Sequence, residues 1–171
     1  MRGDAVPERA RRVRLLAMDV DGVLTDGGIY LAEGVELRRF DVKDGAGIVL
    51  AQRAGLEVAW LSGRSSPVVA ARAADLGVRH LRQGSLDKLP GYLEVVSELG
   101  LADAQVAYVG DDVLDVPVLR RVGLAVAVAD ASPEARRAAH LVTRAAGGRG
   151  AVREVVELIL KAQGKWEGLL P

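Results

Sequence analysis

The chain contains no cysteine, which excludes disulfide bridges, thiolate metal sites and cysteine nucleophiles. It has no excess of either charge: 23 basic residues stand against 23 acidic ones. That balance gives neither nucleic acid nor an anionic membrane surface a reason to bind. No apolar run approaches the roughly 20 residues a membrane helix needs. The opening MRGDAVPERARR lacks the apolar stretch of a secretion signal, so a cytoplasmic location is expected. No internal repeat, low-complexity linker or interior boundary interrupts the chain. What remains is a sequence of 171 residues, half of them hydrophobic, enough for one domain with a substantial core.

Apolar runs alternate with amphipathic stretches, the pattern of an α/β fold with a doubly wound parallel sheet. Strands are expected at 13–19, 56–62, 78–81, 106–109, 125–129 and 141–143. Their apolar runs are continuous, as they are where helices cover both faces of a parallel sheet. Helical patterns fall at 45–54, 67–75, 86–99, 113–122, 133–138 and 149–163. In the last, Val152, Val155, Val156, Ile159 and Leu160 share one face. Residues 27–42 break the alternation. GGIYLAEGVELRRFDV reads as a β-hairpin turning near Ala32-Glu33-Gly34, inserted after the first strand and too short for a cap domain. The expected organisation is an N-terminal extension at 1–12, one domain at 13–163 and a tail at 164–171.

The stretch MDVDGVLTDGG places Asp19 and Asp21 at the mouth of the first strand. Neighbouring carboxylates repel each other and resist burial, so something positive is needed there. Ligands of doubly wound sheets lie outside the carboxyl ends of the strands. Three further strand ends carry polar chemistry: Ser62-Gly63-Arg64, Lys88, and Gly110-Asp111-Asp112 with Asp115 beyond. If these converge, several carboxylates face one hydroxyl and one lysine. Such a donor set suits hard Mg²⁺, which keeps open positions for phosphate oxygens and so points to phosphoryl transfer. Taken singly, each motif has an ordinary explanation. Asp21-Gly22 is good turn chemistry, Ser62 and Asp111 or Asp112 are good helix caps, and Lys88 is a surface residue.

Together the four ordered motifs resemble those of the haloacid dehalogenase superfamily of phosphatases. The finer resemblance is to its capless subgroup, the 3-deoxy-D-manno-octulosonate 8-phosphate (KDO 8-phosphate) phosphatases. It is carried by DVDGVLTDGGIY, FDVKDGAGI, GSLDKL, YVGDDVLD, GLAVAVADA and AAGGRGAVREVVELIL, and spans the chain beyond its first dozen residues. The resemblance implies release of phosphate from the sugar-acid ester during synthesis of the lipopolysaccharide precursor KDO. It makes Asp19 the nucleophile and Asp21 the proton donor and acceptor. Asp19, Asp111 and the Asp21 carbonyl would hold Mg²⁺. Ser62 and the backbone N–H groups of Val20, Asp21 and Gly63 would bind phosphate. Lys88 would balance charge, with Asp112 and Asp115 supporting it from behind. It also implies a homotetramer in which hairpin and tail help to close neighbouring sites.

Arg64 and Arg72 offer forked donors for a sugar-acid carboxylate, and Lys43-Asp44-Gly45 follows the hairpin near the expected mouth, where it is expected to touch substrate. Arg72 reads equally well as a solvated helix face. Gly147-Gly148-Arg149-Gly150 either opens the last helix or presents Arg149 to a neighbouring site. His80 and His140 read as structural, and Trp60 as core. Within the enzyme reading, a nine-carbon sialic-acid-type 9-phosphate or a range of small esters are alternative substrates. A receiver-like signalling domain would carry its phosphorylated Asp after the third strand, where this chain has HLRQG. An idle scaffold on the same fold would not need every catalytic position filled.

Overall fold

The computed structural model describes residues 5–169. The chain opens with helix α1 (Val6–Arg11) and strand β1 (Leu15–Met18). The hairpin β2 (Tyr30–Ala32) and β3 (Val35–Leu37) precedes α2 (Val42–Arg53). Then come β4 (Glu57–Ser62), α3 (Pro67–Asp75), β5 (His80–Gln83) and α4 (Lys88–Leu99). The second half runs β6 (Val106–Gly110), α5 (Val116–Leu119), β7 (Leu124–Ala127), α6 (Pro133–Ala138), β8 (Leu141–Val142) and α7 (Ala151–Ala162).

Six strands form one parallel sheet in the order β5-β4-β1-β6-β7-β8. Ignoring the hairpin, that is the order 3-2-1-4-5-6 of a doubly wound sheet, whose direction of winding reverses between β1 and β6. Residues Leu15–Met18 pair in register with Glu57–Trp60 on one side and Val106–Val109 on the other. Every residue of β1, β6 and β7 is buried. The helices pack in two groups: α1 and α2 with α7, and α5 with α4 and α6. The α7 stripe of Val152, Val155, Val156, Ile159 and Leu160 is fully buried, as its spacing predicts.

The hairpin turns at Glu33 and Gly34, both with positive φ (45° and 82°). Positive φ at both central residues suits the right-handed twist of the flanking strands. An isolated bridge between Thr25 and Phe40 closes its base. Three elements depart from expectation. Residues 6–11 form a helix with Ala10 buried, where no element is expected. The third sheet strand lies at His80–Gln83, two residues later than predicted, because Val78 is still held by its N–H to Ala73 O at 2.8 Å. The helix expected at 113–122 is a 3-10 turn at Val113–Asp115 followed by the short α5. Pro117 has no N–H with which to continue the ladder of the preceding turn. Trp166 folds back onto α7, with Arg153 5.0 Å and Lys161 5.4 Å from its ring. Among the described residues no helix is long and apolar enough to cross a membrane.

Candidate active site

Asp19 directly follows β1 and Asp111 directly follows β6, so the reversal of winding sets them side by side. A cavity of about 330 Å³ opens there, lined by Asp19, Asp21, Lys88, Asp111, Asp112 and Asp115. Gly63 and Arg64, at the end of β4, complete its wall. Eight residues singled out from sequence therefore meet at one place. A larger groove of about 540 Å³ runs beside α1 and α7. Its charges pair among themselves, with Arg153 and Lys161 2.9 and 2.8 Å from Glu157, so it offers no comparable chemistry.

Lys88 opens α4, the end of a helix where a cation is electrostatically disfavoured. Two carboxylates offset that: its Nζ lies 2.9 Å from Asp19 Oδ2 and 2.6 Å from Asp115 Oδ1. Burial works against the ammonium, but Asp19 and Asp115 outweigh it and hold its pKa above the usual lysine value. Asp115 is fully buried, and the protein supplies its donors. Oδ1 accepts from Lys88 Nζ and from Tyr108 Oη at 2.7 Å; Oδ2 accepts from the N–H groups of Asp111 and Asp112 at 2.9 and 3.2 Å.

Oxygens of Asp19, Asp111 and Asp115 lie within 4.8 Å of one another. With four protein donors already on Asp115, the carboxylates left to take a cation are Asp19 and Asp111. Asp111 Oδ1 is buried with no hydrogen-bond partner. Burial first, then the charges of Asp19 and Asp115, push the Asp111 carboxyl up to about 9. Burial and Asp115 push Asp19 up to about 6, against the pull of Lys88. One lysine is too little positive charge for two buried carboxylates and a half-buried third. An oxygen-preferring divalent cation fits both the deficit and the orphaned oxygen.

Other expected residues lie elsewhere. Ser62 is buried, and its hydroxyl bonds to the backbone of Arg64, donating to O at 3.0 Å and accepting from N at 3.3 Å. It lines a small cavity adjoining the main one, shared with Lys88. Arg72 does not reach the cavity. It pairs with Asp75 of its own helix α3 at 2.6 Å, and its guanidinium packs against Gly45 of α2 and lies 5.8 Å from the Phe40 ring. Lys43 is exposed on the first turn of α2 and lines no part of the cavity. Arg149 lies 3.5 Å from Asp26. The glycines before it serve close packing: a Cβ at Gly147 would fall 1.7 Å from the carbonyl oxygen of Gly22, behind the Asp19–Asp21 loop. His80 sits between Glu57 and Glu98, and His140 Nδ1 accepts from Ala125 N at 2.9 Å. The third sheet strand ends without an acid, unlike a receiver domain.

The roles of three residues were not evident in the sequence. Tyr108 sits mid-strand in VAYVG and looks like core until its hydroxyl is traced to Asp115. Asp44 is buried and accepts from Gly150 N and Arg153 N at 3.2 and 2.8 Å, capping α7 from across the layer. Arg38, just past β3, has a side chain with 0% exposure and donates from Nη1 to Asp21 Oδ1. The available signal was Glu36-Leu37-Arg38, which puts two opposite charges on one face of a strand.

Most of the chain is similar to known proteins. A profile of haloacid dehalogenase-like hydrolases matches residues 74–155. The chain is 51% identical over 166 residues to the 3-deoxy-D-manno-octulosonate 8-phosphate phosphatase KdsC of Yersinia pestis, covering 96% of this chain and 89% of that one. A crystal structure of the Yersinia pestis phosphatase superposes with a TM-score of 0.95 at 51% identity, over 96% of this chain and 90% of that one. The corresponding phosphatase of Moraxella catarrhalis, solved with magnesium, phosphate and KDO, gives 0.93 at 40% identity, over 95% and 94% of the two chains.

Proposed function

The chain belongs to the 3-deoxy-D-manno-octulosonate 8-phosphate phosphatase family of haloacid dehalogenase-like hydrolases, and from that premise we propose that it hydrolyses this sugar-acid phosphate through an aspartyl-phosphate on Asp19. The observation that carries the reading is the meeting of Asp19, Asp21, Lys88 and Asp111 in one cavity where the sheet reverses its winding.

Asp19, Asp111 and the backbone carbonyl of Asp21 would hold Mg²⁺. Bound there, the ion supplies the positive charge that lets an anionic ester approach an anionic carboxylate. Asp19 attacks phosphorus; the bond to the sugar oxygen breaks, and that oxygen takes a proton from Asp21. Asp21, now a base, takes a proton from water. The water oxygen attacks the phosphorus on Asp19, the acyl-phosphate bond breaks, and phosphate leaves with Asp19 restored. Lys88 stays protonated throughout, held by Asp115, and faces the charge on Asp19 and the transferred group. Gly63 and Arg64 stand at the wall, where a phosphate or sugar-acid oxygen finds donors.

Assembly belongs to the same reading. Tyr30, Leu31, Val35 and Leu37 on the hairpin are each more than half exposed, which supports burial against other copies in a homotetramer.

Phosphate release measured across sugar-acid phosphates and simple esters, with and without Mg²⁺, tests the proposal. Metal-dependent preference for the 3-deoxy-octulosonate ester is expected, with Asp19→Asn lowering turnover by about 10³-fold or more. Equal turnover of all esters overturns the substrate. Undiminished turnover in Asp19→Asn overturns the nucleophile.

A further inference from the structure

Asp21 lines the cavity beside Asp19, yet one of its oxygens is engaged by a residue outside it. Arg38 is buried at the foot of the hairpin, and two of its three guanidinium nitrogens are paired, Nη2 being buried without a partner. Nη1 meets Asp21 Oδ1, and Nε donates to Glu36 Oε1 at 2.7 Å. Glu36 also accepts from Ser66 Oγ at 2.6 Å, and Ser66 caps α3 while its N–H donates to Gln83 Oε1 at 3.0 Å. An unbroken polar chain thus runs from the loop after β1, through the hairpin, to the ends of β4 and β5. Among the described residues, Asp21 Oδ2 takes no protein donor.

We infer that Arg38 is a positioning residue for the reaction: by clamping Oδ1 of Asp21, it orients the carboxyl so that Oδ2 faces the departing oxygen. The inference rests on the role proposed above for Asp21. A carboxyl on a single flexible bond turns freely in an open cavity, and proton transfer needs its oxygen within hydrogen-bond reach of the leaving atom. Arg38 removes that freedom from a distance, and the chain through Glu36 and Ser66 keeps the guanidinium itself from moving.

A clamp on the proton donor has a signature that a general structural role lacks. An alkoxide leaves poorly and needs the proton; p-nitrophenolate leaves without it. In Arg38→Ala, release of the alcohol from an alkyl sugar phosphate in the first turnover is expected to slow about 30-fold or more, part of the roughly 10²–10⁴-fold a general acid supplies, while the first-turnover burst of p-nitrophenolate slows by less than about threefold. The later hydrolysis on Asp19, where Asp21 serves both esters as base, lies outside this comparison. Arg38→Lys, which keeps the charge, recovers part of the loss. If Arg38→Ala does not fold, Arg38→Gln keeps most of the volume and is read by the same ratio of the two esters. Equal losses on both overturn the inference, whichever variant is used. The underlying phosphatase reading fails separately, if the unmodified protein releases no phosphate from either ester with Mg²⁺.

Discussion

A methyl group on Gly22 would lie 2.1 Å from Oδ2 of Asp111. Gly22 also has φ of +86°, where an L side chain is strained. The obstructed atom is the end of a side chain, so in Gly22→Ala the Asp111 carboxylate swings aside while the fold persists. Mg²⁺ affinity, measured by calorimetric titration, is expected to weaken about 10- to 100-fold, as when a metal ligand loses its orientation. The melting temperature should drop by only a few degrees, reflecting about 1–2 kcal/mol of backbone strain. Unchanged affinity would show that Asp111 is not a ligand.

The carboxyls of Asp19 and Asp111 are pushed up to about 6 and about 9, in both cases chiefly by burial. An acid whose pKa rises on folding stabilises the fold while protonated. That contribution is whole below the unfolded value of about 4 and is lost as pH climbs through the folded values. Stripped of metal by a chelator, the protein should therefore lose stability from these two groups across that window. Mg²⁺ takes the place of the protons, so its stabilising effect should grow with pH. Thermal melts with chelator and with Mg²⁺ at about pH 6 and about pH 9 check this, and a clearly wider gap at the higher pH is expected. An equal gap would place the metal elsewhere.

What could be read from the chain divides along a physical line. The strands that carry Asp19, Ser62 and Asp111 are continuous apolar runs, and their ends fix the chemistry because the peptide leaves a parallel sheet in one direction only. β5 lies at the sheet edge and alternates His80, Leu81, Arg82 and Gln83 at intermediate burial, so its pattern is weak and its predicted start falls too early. Arg38 and Arg72 mark the other limit. Both are arginines beside promising motifs, and only packing separates them: one bends under the hairpin to reach Asp21, the other turns toward Phe40 and Asp75. Charge identity is local information; the direction in which a long side chain is buried is not.

Asp44 shows the same division and yields a test that leaves the chemistry alone. The stretch Lys43-Asp44-Gly45 reads from sequence as a substrate contact, but in the structure Asp44 is turned to buried partners instead. The N-cap of α7 is Gly150, which has no side chain to accept the first N–H groups of the helix. Asp44 reaches across from α2 to accept from Gly150 and Arg153, placing a carboxylate at the positive end of the α7 dipole. Burial raises its pKa, and the N–H donors oppose that rise. Asp44→Ala removes the acceptor and leaves those buried donors unpaired, at a cost of about 1–3 kcal/mol in chemical denaturation. Asp44→Asn keeps an acceptor and should lose less. Because Asp44 lines no part of the Asp19 cavity, kcat per folded molecule should stay within about twofold in both variants, as expected of a cap remote from the reacting atoms. A large fall in kcat with stability intact would instead mean that α7 and its glycine-rich lead, packed against Gly22, set the position of the Asp19–Asp21 loop.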